Sequence, residues 1–250
     1  MFQSFLIALQ LMTRIPVPVK LTGADATEKA VANSVLFYPV IGLLIGVVLV
    51  VLHELLILLY LPIPGFIEAG LLLLVWVLIT GALHLDGLAD SADAWLGGFG
   101  DKKRTLEIMK DPYCGPAGVV SLVILLLLKF SALTVVNWQV LIVAPVLART
   151  AVVVLFASTP YVRKGGMGES VAKSLTTNKA IINFLLVILF TFFILGQQSV
   201  FLLFVFAIAY MMRKIMLKRI GGTTGDTAGA MIEVLEASTL IIFILADYLE

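Results

Sequence analysis

Long apolar runs separated by short polar connections dominate the chain. A helix needs about 20 apolar residues to cross a bilayer, and seven runs approach that length: 35–59, 67–83, 116–136, 140–157, 181–195, 200–212 and 227–246. These runs are continuous, whereas the strands of a membrane barrel alternate between apolar and polar residues. The pattern therefore predicts an all-α fold, a polytopic transmembrane helix bundle with about seven spans.

The N-terminal segment, residues 1–18, differs from the seven runs. Residues 2–12 are apolar but too few to span, and Pro16 and Pro18 follow them. We expect an interfacial or re-entrant helix there. The segment has neither a basic start nor a small-residue cleavage site, so we do not interpret it as a signal peptide. We predict one integral membrane domain over residues 1–250, since no repeat or linker divides the chain.

Composition supports the membrane assignment. The chain is 61% hydrophobic and 13% charged, with a mean hydropathy of +1.10, whereas soluble domains are roughly 45–50% apolar and about 25% charged. The net charge of +1 gives no sign of nucleic-acid binding. A single cysteine, Cys114, excludes an internal disulfide.

Basic residues are confined to alternate connections. They are Arg14, Lys20 and Lys29; Lys102, Lys103, Arg104 and Lys110; Arg163, Lys164, Lys173 and Lys179; and Arg213, Lys214, Lys218 and Arg219. Under the positive-inside rule these loops face the cytoplasm, which also places the N-terminus inside. We therefore predict a multi-pass protein of the bacterial cytoplasmic (inner) membrane, with its polar motifs facing the cytoplasm.

Three aspartates follow the second run. Asp86, Asp90 and Asp93 are spaced i, i+4 and i+7, so on a continuous helix they share one face. Like charges so arranged repel each other, and near a membrane their desolvation is costly. Carboxylates without thiolates suit Mg²⁺, with Mn²⁺ as an alternative. Gly87 would let a phosphate or another helix approach the first carboxylate.

A second acidic element opens the last run. Asp226 follows a glycine-rich turn, and Glu233 and Glu236 lie on the same helical face. A turn of this kind offers backbone N–H groups to an anion. Together the two elements resemble the carboxylates of metal-dependent phosphoryl-transfer sites.

Several other polar residues are candidates for binding. Lys110 and Asp111 precede the third run, and Arg163 lies in a glycine-rich loop suited to phosphate. Arg149 lies within an apolar run and should pair with an acid or with a substrate phosphate. Lys129 is also within a run, and we predict Glu54 as its partner. His84 is open to three interpretations: metal ligand, general base or interfacial residue.

At this point a family resemblance becomes visible over nearly the whole chain. The chain resembles the cobalamin (5′-phosphate) synthase family, also called adenosylcobinamide-GDP ribazoletransferase. The matching positions are Thr13, Arg14, Pro16 and Pro18; Phe37 to Pro39, Gly42 and Gly46; Gly81 to Ala94; Met109 to Asp111, Gly115 and Gly118; Arg149; Gly165 to Gly168; and Thr224 to Asp226, Gly229, Ala230, Glu233 and Glu236. The chain departs from the pattern at Pro112 and Tyr113, where we expect a Ser-Arg pair. Lys110 then becomes the candidate cation of that loop.

The resemblance implies a late step of cobalamin assembly. Adenosylcobinamide-GDP and α-ribazole, or α-ribazole 5′-phosphate, would give adenosylcobalamin or its 5′-phosphate, with GMP leaving and Mg²⁺ required. We predict metal ligands at Asp86, Asp90, Asp226 and Glu233. Catalytic roles fall to Asp93 as base, Asp90 and His84, and substrate binding to Arg14, Lys110, Asp111, Arg149, Arg163 and Glu236. The predicted partners are these substrates and the lipid bilayer, and a homo-oligomer is compatible with the sequence.

Two other functions remain as alternatives. CDP-alcohol phosphotransferases also carry an Asp-Gly pair on a membrane helix, but there we expect Ala-Arg after Asp-Gly-x-x, whereas Asp90 stands at the first of those positions. A cation or corrinoid transporter should place its polar groups near the bilayer midplane, and here most of the acids lie at the predicted cytoplasmic boundary.

Overall fold

The computed structural model describes residues 1–17, 28–59, 63–163 and 167–248. The described residues form twelve α-helices, with 3₁₀ turns at Val35–Phe37 and Gly196–Phe201. The helices are α1 (Phe2–Met12), α2 (Glu28–Ser34), α3 (Tyr38–Leu58), α4 (Gly65–Thr80), α5 (Leu83–Gly97), α6 (Lys102–Ile108), α7 (Pro116–Leu133), α8 (Trp138–Ser158), α9 (Met167–Ser174), α10 (Thr177–Leu195), α11 (Leu202–Ile220) and α12 (Gly225–Asp247). The all-α prediction is confirmed. Pro18, Lys20, Lys164, Gly165 and Gly166, which figured in the sequence predictions, lie outside the described residues.

The predicted spans correspond to membrane-sized helices. Five described helical segments are long and apolar enough to cross a membrane, and a sixth is added if α4 and α5 together form one bent span. One of the five, Thr177–Ile220, has 44 residues, which is about 66 Å of helix against a hydrocarbon core of about 30 Å. The segment folds back on itself, so that α10 and α11 lie side by side: the rings of Phe184 in α10 and Phe206 in α11 are 5.3 Å apart. With α10 and α11 counted separately, the helices agree with the seven predicted spans.

Helix α8 is the central helix of the bundle and packs against α3, α10 and α12. Its contact with α3 is backbone to backbone. A Cβ atom on Gly46 would lie 2.6 Å from the Cα atom of Ile142, and one on Gly42 would overlap the carbonyl group of Pro145. Small residues four apart allow this close approach, which is a common way for membrane helices to associate.

The connections that carry the polar motifs gather at one end of the bundle. There, Arg14 covers Gly81, and the guanidinium of Arg219 donates a 2.8 Å hydrogen bond to the carbonyl of Trp95. At the opposite end, the carboxylate of Asp247 accepts hydrogen bonds from Asn137 and Gln198. The grouping is the one expected from the alternation of basic loops.

A sharp break separates α4 from α5. Gly81 and Ala82 both adopt left-handed backbone conformations, with φ of 60° and 56°, and the two helix axes differ by 86°. The predicted run 67–83 therefore does not continue into the aspartate segment. The acids are instead carried by a separate helix, α5, nearly perpendicular to α4.

Candidate active site

Helix α5 presents the three aspartates on one face, because it is unbroken from Leu83 to Gly97. Asp86 is exposed, whereas Asp90 and Asp93 are half-buried. The spacing predicted from the sequence is therefore realised on this helix. The face is directed toward the start of α12, where Asp226 lies.

Two glycines allow α5 and α12 to cross at very short range. A Cβ atom on Gly87 of α5 would lie 2.6 Å from the carbonyl oxygen of Asp226. A Cβ atom on Gly229 of α12 would lie 3.3 Å from the Cα atom of His84. The carboxylates on either side of this crossing consequently share one region at the end of the bundle.

The start of α12 is held by hydrogen bonds that place Asp226. Thr224 caps the helix, with a reciprocal bond to Thr227. A short β-type pairing joins the loop after α8 to this turn: Val162 N–H donates to the Thr223 carbonyl at 2.9 Å, and Thr223 N–H to the Pro160 carbonyl at 2.8 Å. The pairing brings the loop after α8 alongside Asp226.

Arg163, in that loop, forms an ion pair with one of the acids. Its guanidinium nitrogen lies 2.7 Å from an Asp226 carboxylate oxygen. Tyr161 packs beside it against Gly168, and burial raises the pKa of the Tyr161 hydroxyl. The phenol is therefore neutral at physiological pH and able to donate a hydrogen bond.

The acidic region carries more negative charge than Arg163 balances. Asp90 is repelled by Asp86, Asp226 and Asp93, and Arg163 offsets this only in part. The donors are carboxylate oxygens, which suit a hard divalent cation such as Mg²⁺. No group of three His, Cys, Asp or Glu side chains within the described ranges is already arranged around a metal position. The set fits a divalent ion in its donor chemistry and charge, with side chains that must close around the ion.

Asp93 has a different environment from the other two acids of α5. Its carboxylate accepts hydrogen bonds from the N–H groups of Gly115 at 2.7 Å and Gly118 at 2.9 Å. These groups lie at the start of α7, so Asp93 joins α5 to α7 and supplies negative charge at a helix N-terminus. Both oxygens are engaged, and this geometry favours a structural role over the predicted role as base.

Glu233 and Glu236 lie away from the acidic region, and the predictions for them need correction. Both are buried, and each accepts from the Lys129 ammonium group at 2.6 Å. Glu236 also pairs with Arg149 at 2.6 Å. The ammonium group lies 4.8 Å from the centre of the Trp76 ring. Two acids and two cations thus form a neutral buried cluster.

Three residues of this cluster had been predicted to bind ligands: Glu233 a metal ion, and Arg149 and Glu236 the substrate. Glu233 is not placed to join Asp226 as a ligand. Arg149 pairs with an acid, Glu236, which was the first of its two predicted kinds of partner, and the pair takes both residues away from a substrate phosphate. The predicted pairing of Lys129 with Glu54 is wrong, because Glu54 is exposed and Lys129 is bound to Glu233 and Glu236. The only sequence signal for the cluster was the presence of isolated charges within apolar runs.

The remaining predicted binding residues lie at the same end of the bundle as the acids. Arg14 packs over the break at Gly81. Lys110 and Asp111 are exposed in the loop before α7, where the Asp111 carboxylate accepts a 3.0 Å hydrogen bond from the N–H of Tyr113. Arg14, Lys110 and Arg163 were the predicted cations near the acids. Among the described residues, Arg163 is the one of these three that makes an ion pair with Asp226.

A cavity of about 270 Å³ opens beside the acids. Asp86 and Asp226 lie on its wall together with His84, Tyr38 and Gly87. Its other lining residues include Leu11, Met12, Val152, Phe156 and Ile232. Sequence reasoning did not place α1 or Tyr38 near the site, because their approach depends on how the helices pack.

Comparisons with a family model and with known proteins both lead to the same family. Residues 4–244 match the family described as cobalamin-5-phosphate synthase. The chain is 48% identical over 241 residues to an adenosylcobinamide-GDP ribazoletransferase of Pseudomonas putida strain F1, covering 95% of this chain and 96% of the relative. It is 49% identical to the enzyme of that name from Pseudomonas entomophila, again covering 95% and 96%. The one from Stutzerimonas stutzeri is 47% identical, with 94% and 95% covered. No solved structure matches the chain.

Proposed function

The chain belongs to the cobalamin-5-phosphate synthase family, and from this premise we propose the reaction that its acidic site performs. The enzyme transfers the cobinamide-phosphoryl group of adenosylcobinamide-GDP to α-ribazole or α-ribazole 5′-phosphate. The products are adenosylcobalamin, or its 5′-phosphate, and GMP. This is the closing step of nucleotide-loop assembly.

The bond changes define what the site must do. A ribose hydroxyl of the ribazole attacks the phosphorus attached to cobinamide, and a new P–O bond forms. The P–O bond to the GMP phosphate breaks, and GMP leaves with that electron pair. The hydroxyl proton passes to a base. Such transfers depend on in-line positioning and charge stabilisation more than on covalent catalysis.

A divalent cation is part of this proposal. Asp86 and Asp226 are the residues that would hold it, since they carry hard oxygen donors and converge where Gly87 allows α5 to touch α12. Mg²⁺ is the proposed ion and Mn²⁺ a substitute. When bound, the ion neutralises charge on the diphosphate oxygens.

The protein's own cations would stabilise the remaining charge. Arg163 is placed beside Asp226, and its planar guanidinium can bind two phosphate oxygens at once. Lys110 and Arg14 are exposed at the same end of the bundle, and we assign them to binding the diphosphate as well. These three replace the larger set predicted from the sequence, because Arg149 is committed to Glu236.

Asp90 is the proposed proton acceptor. It lies one turn from Asp86 on the same face of α5, and among the described residues no side chain or backbone group donates a hydrogen bond to its carboxylate. Asp93, the base predicted from the sequence, already accepts two backbone hydrogen bonds. Proton transfer requires a base with a free oxygen within reach of the hydroxyl.

The site is proposed to face the cytoplasm, with the helices embedded in the inner membrane. The support is the gathering of basic connections at the end of the bundle that carries the acids. Fusing a periplasm-active reporter to the chain after residue 110 should give no signal, whereas fusion after residue 197 should give one.

The observation that carries the proposal is the convergence of Asp86 and Asp226 at the Gly87 contact in a chain of this family. The test is GMP release by detergent-purified protein given adenosylcobinamide-GDP and α-ribazole. GMP should appear only when both substrates and Mg²⁺ are present. Release of CMP from a CDP-alcohol donor would favour the phosphotransferase alternative, and the absence of any turnover would leave transport as the better function.

A further inference from the structure

The cavity beside the acids has two chemically different regions. Asp86 and Asp226 provide charge on one side. The rest of the wall is mainly apolar, with Leu11 and Met12 from α1, Val152 and Phe156 from α8, and Ile232 from α12. A ligand that fits this cavity has one polar end, which meets the acids, and one apolar end.

Tyr38 and His84 are polar side chains within the apolar region. The Tyr38 hydroxyl is hydrogen-bonded with Ser34, whereas His84 has no such partner in the described part of the chain. Its side chain is buried, with 5% exposed, and it lines the cavity. Neither ring nitrogen has a hydrogen-bond partner among the described residues. A buried polar group without a partner is destabilising, so a ligand that supplies the partner removes that cost. His84 therefore marks the position of a ligand atom that accepts or donates a hydrogen bond.

The size of the cavity limits the ligand. Its volume is about 270 Å³, just below the roughly 300–1,000 Å³ typical of small-molecule pockets. A nucleoside-sized group fits this volume, and a corrinoid does not. The cobinamide part of the donor must therefore lie outside the cavity.

Two nucleosides take part in the proposed reaction, and the lining distinguishes them. Guanine carries several donors and acceptors around its edge, and each would need a partner when buried. The dimethylbenzimidazole of α-ribazole is apolar apart from one unsubstituted ring nitrogen, which accepts a single hydrogen bond. An apolar wall with one unpartnered histidine matches the second base.

We propose that this cavity is the α-ribazole site. The proposal rests on the proposed function. The dimethylbenzimidazole packs against the apolar wall, and an N–H of His84 donates to its free ring nitrogen. The ribose then lies at the acidic side, next to Asp86 and Asp226. His84 is a binding residue that selects the acceptor base and places the attacking hydroxyl near the diphosphate.

The first test compares substitutions of His84 in the full-length purified enzyme with both substrates varied. His84→Phe keeps an aromatic ring but removes the N–H, and should raise the KM for α-ribazole about ten- to hundred-fold. The KM for adenosylcobinamide-GDP should stay within about two-fold. His84→Asn keeps a donor and should recover part of the loss. The matched control is His53→Phe, at the other end of the bundle, which should change neither KM.

The second test measures binding without turnover and needs no variant. Equilibrium dialysis of α-ribazole against wild-type protein should show saturable binding that free dimethylbenzimidazole displaces and GMP does not. Displacement by GMP, or a His84→Phe effect confined to the KM for the GDP donor, would assign the cavity to guanosine and overturn the proposal. Unchanged kinetics in His84→Phe would overturn it as well.

The two tests separate this proposal from the proposed function. Wild-type enzyme that releases GMP normally while His84→Phe behaves like wild type would leave the reaction intact and remove the cavity assignment. Wild-type protein that binds α-ribazole saturably but releases no GMP would leave the cavity intact and remove the reaction.

Discussion

Gly87 and Asp226 are in direct backbone contact: a Cβ atom on Gly87 would lie 2.6 Å from the Asp226 carbonyl oxygen. This contact, between α5 and the first turn of α12, sets the separation of the two acidic elements. Any side chain at position 87 must push the helices apart, since the obstructing atom belongs to the backbone.

Gly87→Ala should therefore lower kcat/KM for GMP release by about 100-fold, because a displacement of about 1 Å in a catalytic group can cost that much. The measurement is steady-state kinetics in detergent. Gly70→Ala on α4 is the matched control, since the added Cβ would lie 3.8 Å from Phe130, an ordinary contact. Equal activity in the two variants would show that the close crossing has no part in catalysis.

The buried cluster of Lys129, Arg149, Glu233 and Glu236 should behave as a neutral unit. Lys129→Met leaves one uncompensated buried negative charge and should destabilise the fold by about 3–5 kcal/mol. The measurement is the Tm of the purified protein by intrinsic fluorescence. Lys103→Met, which removes an exposed cation, should leave the Tm unchanged.

Restoring neutrality in this cluster should restore stability. The double variant Lys129→Met with Glu233→Gln again balances the charges, so its Tm should lie above that of Lys129→Met alone. A double variant that is less stable than either single variant would show that the packing of the side chains, and not their charge, sets the stability.

Asp90 and Asp93 should separate into catalytic and structural roles. Asp93→Asn loses one of two hydrogen bonds to the start of α7, and we expect a stability loss of about 1–2 kcal/mol with turnover retained. Asp90→Asn should keep the Tm and lose at least 100-fold in kcat. Loss of turnover in Asp93→Asn at an unchanged Tm would return the role of base to Asp93.

The sequence predicts the features that are set within one helix better than the features that are set by packing between helices. Apolar runs predict the spans well, because a bilayer imposes one length on every helix that crosses it. The break at Gly81 and Ala82 was missed. Alanine rarely adopts a left-handed conformation, yet Ala82 adopts one here, with φ of 56°. The acids of α5 nevertheless kept their predicted face, since their spacing acts within one helix.

The prediction for the last helix shows where periodicity fails. Glu233 and Glu236 do share the face of Asp226, but they lie seven and ten residues further along α12, about 10 and 15 Å deeper. Periodicity gives the direction of a side chain around the helix. It does not identify the residue of another helix that the side chain contacts at that depth. Lys129 and Arg149 were recognised as isolated charges, yet their partners became clear only from the packing of α7, α8 and α12.

The claim on which the account depends is that Asp86 and Asp226 bind one divalent ion together. Titration of Mn²⁺ into purified protein, followed by its electron paramagnetic resonance signal, tests this without substrates. Asp86→Asn and Asp226→Asn should each weaken Mn²⁺ binding by at least about ten-fold, because each removes a charged ligand from the same site. Wild-type affinity in either variant would contradict the shared site.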